Sequence, residues 1–181
     1  MPRTGIAFTA ADYRALPDNA PRMELLDGEY SMSPSPSRRH QEVLANLFAL
    51  LLAFLRAHPV GKAWISPFDT YLSDSDVLQP DILLLLAAHL DRVADDGVHG
   101  APDLCVEVLS PGTAGHDFTL KREIYRRSGV AEYWIVDPRA ESVTPYRLQE
   151  NPEPRKFDKG ERFASPLLPD FAPELAQIFA R

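Results

Sequence analysis

Leu104-Cys105-Val106-Glu107-Val108-Leu109 is an apolar strand with a single carboxylate in its middle. Strand alternation puts Cys105, Glu107 and Leu109 on one face, and Leu104, Val106 and Val108 on the other. A carboxylate inside a buried strand is expensive unless it is paired, protonated or bound to a cation. Glu107 is therefore the anomaly to explain. Upstream, Gln79-Pro80-Asp81 leads into Ile82-Leu83-Leu84-Leu85-Leu86. A continuously apolar run of this kind is expected of a central strand covered on both faces. If the two strands are neighbours, Asp81 and Glu107 converge on one magnesium-sized ion. Mg2+ favours one or two carboxylates together with waters and phosphate oxygens, the arrangement that phosphodiester hydrolysis needs.

A lysine follows on the next helix. Asp117, Lys121, Ile124 and Tyr125 share a broad face at spacings of three and four. An ammonium aimed at the carboxylates positions an attacking water or stabilises developing negative charge. Each of the three residues also has a plainer reading. Asp81 fits a strand-start carboxylate making turn hydrogen bonds, Glu107 fits the partner of an internal arginine, and Lys121 fits a surface bridge to Asp117. The set is more specific than any member, because two carboxylates enter on buried strands and a lysine follows. Ser110-Pro111-Gly112-Thr113 lacks the lysine spacing of a phosphate-binding P-loop and reads as a turn. No serine–histidine–aspartate set has a recognisable nucleophile elbow.

Working outward, Thr9 and Asp12 read as an N-cap and a first-turn acid for a short helix over 10–16. Met23–Leu26 and Glu29–Met32 flank Asp27-Gly28, which supplies the positive φ values of a type I′ hairpin turn. Ser37 caps a helix over 38–57, where Val43, Leu47, Leu50 and Phe54 form a broad apolar stripe. Strands are expected at Lys62–Leu72, Asp81–Leu86 and Leu104–Leu109. A helix over 116–128 ends at Ser128-Gly129, a glycine C-cap. Glu132–Val136 and Ser142–Leu148 form a strand pair turned at Asp137-Pro138-Arg139. Residues 150–162 read as an exposed polar loop, and Phe171–Phe179 as a short docking helix. This order predicts one α/β layered domain over residues 1–181, a mixed sheet flanked by helices with a β-hairpin in front. The 17 prolines are roughly twice average usage and punctuate the loops.

The totals bound the partners. A net charge of -7 gives none of the overall basic excess usual in nucleic-acid binders, although carboxylates gathered round a metal contribute to such a balance. Arg38, Arg39, Arg122, Arg126 and Arg127 are the residues from which a basic stripe could be built. Cys105 is the only cysteine, so neither an internal disulfide nor a cysteine zinc cluster is available. The N-terminus shows no signal-peptide core, and the apolar runs Leu47–Leu55 and Ile82–Ala88 are too short to span a bilayer. The expected setting is cytoplasmic, with no membrane partner.

Read in order, several pieces resemble the Uma-two family of restriction-endonuclease-like proteins, a branch of the PD-(D/E)XK nuclease superfamily. They are Met23-Glu24-Leu25-Leu26-Asp27-Gly28-Glu29, His40 at the start of the long helix, and Gln79-Pro80-Asp81-Ile82. Ala101 to Pro111, Lys121 with Tyr125, and Gly129 to Pro138 complete the series. The resemblance covers roughly residues 8–180 and implies a restriction-endonuclease-like core. It also implies a Mg2+- or Mn2+-dependent endonuclease acting on DNA, with Asp81 and Glu107 as metal ligands. Lys121 stands in for the lysine that the superfamily places two residues after the acid, where this chain has Leu109. Glu24 adds a carboxylate from the N-terminal part of the site, with a hairpin surface charge as its alternative. His40 contacts a phosphate or the attacking water, with a satisfied core histidine as its alternative. A homodimer suits double-strand cutting. The rival is a catalytically degenerate module of the same fold that binds nucleic acid or a protein partner.

Overall fold

The computed structural model describes residues 7–17, 19–32, 35–110, 117–150 and 152–181, the side chains of 117 and 118 excepted. The expected turn at 111–113 and the face assigned to Asp117 lie outside them. At the centre is a mixed five-stranded sheet built from β3 (Gly61–Ile65), β6 (Ile82–Leu86), β9 (Leu104–Val108), β10 (Glu132–Asp137) and β11 (Ser142–Arg147), in the order β11-β10-β9-β6-β3. β9 runs parallel to β10 and antiparallel to β6, with Ile82 opposite Val106. The apolar run 82–86 is thus central, as its composition implied.

The two faces of β9 divide as the alternation predicts. Leu104, Val106 and Val108 enter the core under α2 (Arg38–Ala57), against Val43, Leu47 and Leu51. Cys105 enters a second core with Ile124, Tyr125, Tyr133 and Ile135, under α3 (Arg122–Ser128). The α2 cap is as expected, with the Ser37 hydroxyl accepting from the His40 amide at 3.2 Å. α2 is apolar and long enough by composition to cross a membrane, but its inner stripe is buried in this core. Gly129, at φ +94°, closes α3 in the left-handed conformation. The helix expected over 116–128 is more irregular than its pattern suggested. Asp117–Lys121 form one wide π-helical turn before α3 begins.

Lys62–Leu72 is not one strand. Pro67 offers no backbone donor and interrupts it, so β3 joins the central sheet while β4 (Thr70–Ser73) joins another. That second sheet also absorbs the hairpin β1 (Met23–Leu26) and β2 (Glu29–Met32), along with β5 (Asp76–Leu78), β7 (Val93–Ala94) and β8 (Gly97–His99). Its order is β2-β1-β5-β4-β8-β7. The hairpin is therefore no appendage, since β1 pairs with β5 at Leu25–Val77. Its turn is as expected, with Asp27 and Gly28 at φ 51° and 76°. The short helix α1 (Ala10–Arg14) carries the Thr9–Asp12 capping box. The stretch 150–162 is not wholly exposed. Phe157 bridges to Val143 and is buried with Phe163 beneath α4 (Leu175–Ile178), a shorter tail helix than the pattern suggested.

One buried carboxylate ties the second sheet to α3. Asp76 accepts from the Ser73 hydroxyl at 2.6 Å, the Asp27 amide at 3.0 Å and the Arg127 guanidinium at 2.7 Å. Burial by itself pushes its carboxyl up, but these donors outweigh that and hold it below the ordinary range. A depressed folded-state pKa contributes stability that is present at neutral pH and lost as pH falls through the folded value. Asp76→Asn should therefore lower stability at pH 7 and flatten the acid-side decline of the wild type below about pH 4, as read from urea midpoints across pH. In the core, Leu47→Ala should cost about 2–5 kcal/mol in the same measurement, because Leu47 is fully buried.

Candidate active site

Asp81 and Glu107 stand one rung beyond the last β6–β9 pair, Ile82 opposite Val106, and so face each other across the strand ends. The Val108 amide donates to Asp81 Oδ2 at 2.8 Å, fastening Asp81 to the peptide that follows Glu107. His40 Nε2 lies 3.1 Å from the same oxygen. A carboxylate only accepts, so Nε2 carries the proton. His40 is buried, and its Nδ1 has no hydrogen-bond partner. Position on the first turn of α2 brings it here, because the turn overlies the end of β6.

Glu107 is held from the opposite face. Lys121 Nζ donates to Glu107 Oε1 at 2.9 Å and lies 3.0 Å from Glu24 Oε2. The Tyr125 hydroxyl donates to Glu107 Oε1 at 2.9 Å. Glu24 also accepts from the Gln79 amide at 2.9 Å, which ties β1 to the residue two positions before Asp81. Lys121 ends the π-helical turn, and Tyr125 sits one helical turn later on the same face. Burial pushes the Tyr125 phenol well above its ordinary range, and the nearby Glu107 adds to this, so the hydroxyl stays a donor. Burial likewise raises the Cys105 thiol well above its usual range, and a protonated, enclosed thiol is a poor metal ligand.

All five residues singled out from the sequence gather at this end of the sheet. Glu107 pairs with a lysine rather than an arginine. Lys121 is 6% exposed, not a surface bridge, and Glu24 is 4% exposed, not a hairpin surface charge. His40 reaches the site through Asp81. Tyr125, read from the sequence as packing, is a site residue. Its spacing of four from Lys121 was the available signal, since the two had to share a face. The Gln79 and Val108 amides carry no signal in residue type. The second Pro-Asp pair goes to the far end of the same strands. Asp103 accepts from the Leu86 amide at 2.8 Å and meets His89 Nδ1 at 2.8 Å.

The five candidate arginines do not form one stripe. Arg38 and Arg39 pair with Glu42, and Arg39 also meets Glu141. Arg127 is held by Asp27 and Asp76. Only Arg122 and Arg126 remain together, on the outer side of α3.

The donor set suits a hard divalent cation. Among the described residues, the buried centre holds three carboxylates, Glu24, Asp81 and Glu107, against one ammonium. Buried negative charge in excess calls for a further cation. No three His, Cys, Asp or Glu side chains among the described residues are grouped to cage an ion. That argues against a protein-enclosed zinc or calcium site and fits Mg2+, which keeps several waters and needs only one or two carboxylates. Asp81 and Glu107 are the two that would hold it.

A family model for Uma2, described as “Putative restriction endonuclease”, matches residues 10–177. Among solved structures, a crystal structure described as a “putative nuclease belonging to DUF820” from Anabaena variabilis superposes with a TM-score of 0.81. It is 20% identical, and the match covers 96% of this chain and 98% of that one. At that identity the likeness establishes the shared fold. No curated protein matches.

Removing one partner of a buried charge pair leaves the other uncompensated, typically at about 3–5 kcal/mol. Lys121→Met should therefore destabilise the protein by about that much in urea unfolding at pH 7. Tyr125→Phe, which removes one donor to Glu107, should cost only about 1 kcal/mol. Equal effects from the two would show that the ammonium is not what neutralises the glutamates.

Proposed function

The chain belongs to the Uma2 family, and from that premise we propose that it is a Mg2+- or Mn2+-dependent endonuclease that hydrolyses phosphodiester bonds in DNA. The observation that carries this reading is the opposition of Asp81 and Glu107 at the ends of adjacent strands, in a buried centre with more carboxylates than cations.

A bound divalent ion supplies charge neutralisation at the phosphate and a more acidic water. The chain's own groups set the stage. Asp81 is fixed through Oδ2 by the Val108 amide and His40, which leaves Oδ1 as the oxygen to meet a ligand. Glu107 is fixed through Oε1 by Lys121 and Tyr125. Lys121 stands beside both, where its ammonium stabilises negative charge growing on a phosphate oxygen. Glu24 and Tyr125 hold Lys121 and Glu107 in place before substrate arrives. Preorganised donors of this kind need no rearrangement at the moment of reaction. Leu109 at the superfamily's usual lysine position is compatible with this scheme, because Lys121 delivers an ammonium to the same carboxylate from the helix.

The test is calorimetric titration of Mg2+ and Mn2+ into wild type, Asp81→Ala and Glu107→Ala, with plasmid cleavage measured on the same samples. Wild type should bind and cut, and both variants should lose both properties. A wild type that binds neither metal and leaves plasmid intact would sink the enzyme reading and leave a binding module of the same fold.

A further inference from the structure

Away from the carboxylates, two adjoining cavities of about 280 and 480 Å³ share Arg147, Pro152 and Pro154 and form one groove along β11, the edge of the central sheet. Four arginines line it: Arg122, Arg126, Arg147 and Arg155. The acids in its lining are Glu123 and Glu153. In a chain of net charge -7 this is a local reversal of sign. Arg122 lies over the Tyr146 ring at 5.1 Å and Arg155 over the Phe157 ring at 4.5 Å. Guanidinium planes backed by aromatic rings are preset as stacking and phosphate-binding surfaces. Prolines fix the walls, so little ordering is needed on binding.

The arginines do have acidic neighbours. Arg126 meets Glu123 at 2.7 Å, Arg147 meets Glu150 at 2.8 Å, and Arg155 meets Glu161 at 2.7 Å. Every one of these pairs is at the surface, where ion pairs contribute roughly 0–1 kcal/mol. A phosphate displaces such an acid at small cost, and a bidentate arginine–phosphate contact is the stronger bond.

We propose that this groove binds a single polynucleotide strand, the arginines taking its phosphates and the aromatic-backed guanidinium planes its unpaired bases. The proposal rests on the nuclease reading and adds the strand's path. α3 follows directly on Lys121, which it turns inward, and its Arg122 and Arg126 line the groove. A strand lying there passes along the helix that closes the catalytic centre. Duplex offers only its phosphates to such a surface, whereas a single strand also offers base faces.

The experiment measures fluorescence anisotropy of a labelled oligothymidylate, the matching duplex and a polyglutamate peptide, all in EDTA so that no cutting occurs. The proteins are wild type, Arg147→Gln/Arg155→Gln, and Arg162→Gln as an exposed charge control outside the groove. Wild type should prefer the single strand. The double variant should bind it about tenfold more weakly, with the slope of log affinity against log salt reduced by about 1.4, or 0.7 for each lost phosphate contact. Arg162→Gln should match wild type. Equal binding by the double variant, an equal loss in Arg162→Gln, or preference for duplex or peptide would overturn the proposal. Cleavage by wild type and Asp81→Ala is measured separately. Cutting lost only in Asp81→Ala, with the groove silent, leaves the nuclease reading standing without this one. Groove binding without any cutting does the reverse.

Discussion

Two glutamates cannot be buried side by side without a cation, and much of this molecule is arranged around supplying one. Glu24 comes from the hairpin strand β1, Glu107 from the central strand β9, and the Lys121 ammonium between them from the segment that closes β9 back onto the sheet. Each belongs to a different piece of the fold. The charge triad therefore fixes how the second sheet and α3 sit against the central sheet, as well as neutralising its members. Asp76 with Arg127 repeats the device close by, joining β5 and the hairpin turn to the same helix. Buried polar groups that are fully partnered specify one arrangement, because any shift leaves a charge unpaired.

The parts legible in the sequence were those where a local pattern decides the outcome. Asp27-Gly28 set a turn, Ser37 set a helix start, and Ile82–Leu86 could only be a covered strand. The site was legible for a related reason: Glu107 violates the apolar pattern of its strand, and a violation of that kind needs a partner. What could not be read was decided by long-range pairing. Nothing between 62 and 72 says that β3 and β4 enter different sheets, and the pairing of β1 with β5 depends on a contact between Leu25 and Val77. The role of Tyr125 was hidden because a tyrosine in a core has the same signature whether or not its hydroxyl finds a carboxylate. The Val108 and Gln79 amides are invisible for a simpler reason, since every residue but proline has one.

The two Pro-Asp pairs show how far a short motif carries. Both place an aspartate beside a buried strand, and the adjacent strands β6 and β9 run antiparallel. Asp81 precedes β6 and Asp103 precedes β9, so the two acids necessarily lie at opposite ends of the pair. Asp103 closes on the Leu86 amide and His89, and its neighbourhood contains no second carboxylate strand. Asp81 arrives at the end where β9 presents Glu107. The chemistry-bearing end is thus selected by where along β9 its acid lies, not by the dipeptide.

The acidic balance of the chain, at first sight adverse to a nucleic-acid substrate, looks different once the charges are located. Glu24, Asp81 and Glu107 are enclosed, and Asp76 is buried under Arg127, so several negative charges are not presented to an approaching polyanion. The arginines are likewise unequal. Arg127 is committed to the fold and Arg39 to Glu141 and the C-terminal carbonyls, while Arg122 and Arg126 face outward on α3. Net charge sums these groups as though they were interchangeable. Screening over about 8–10 Å means that an approaching strand senses the local set instead. For this molecule the local set beside α3 and β11 is four arginines, and the helix that displays two of them begins immediately after the lysine buried against Glu107.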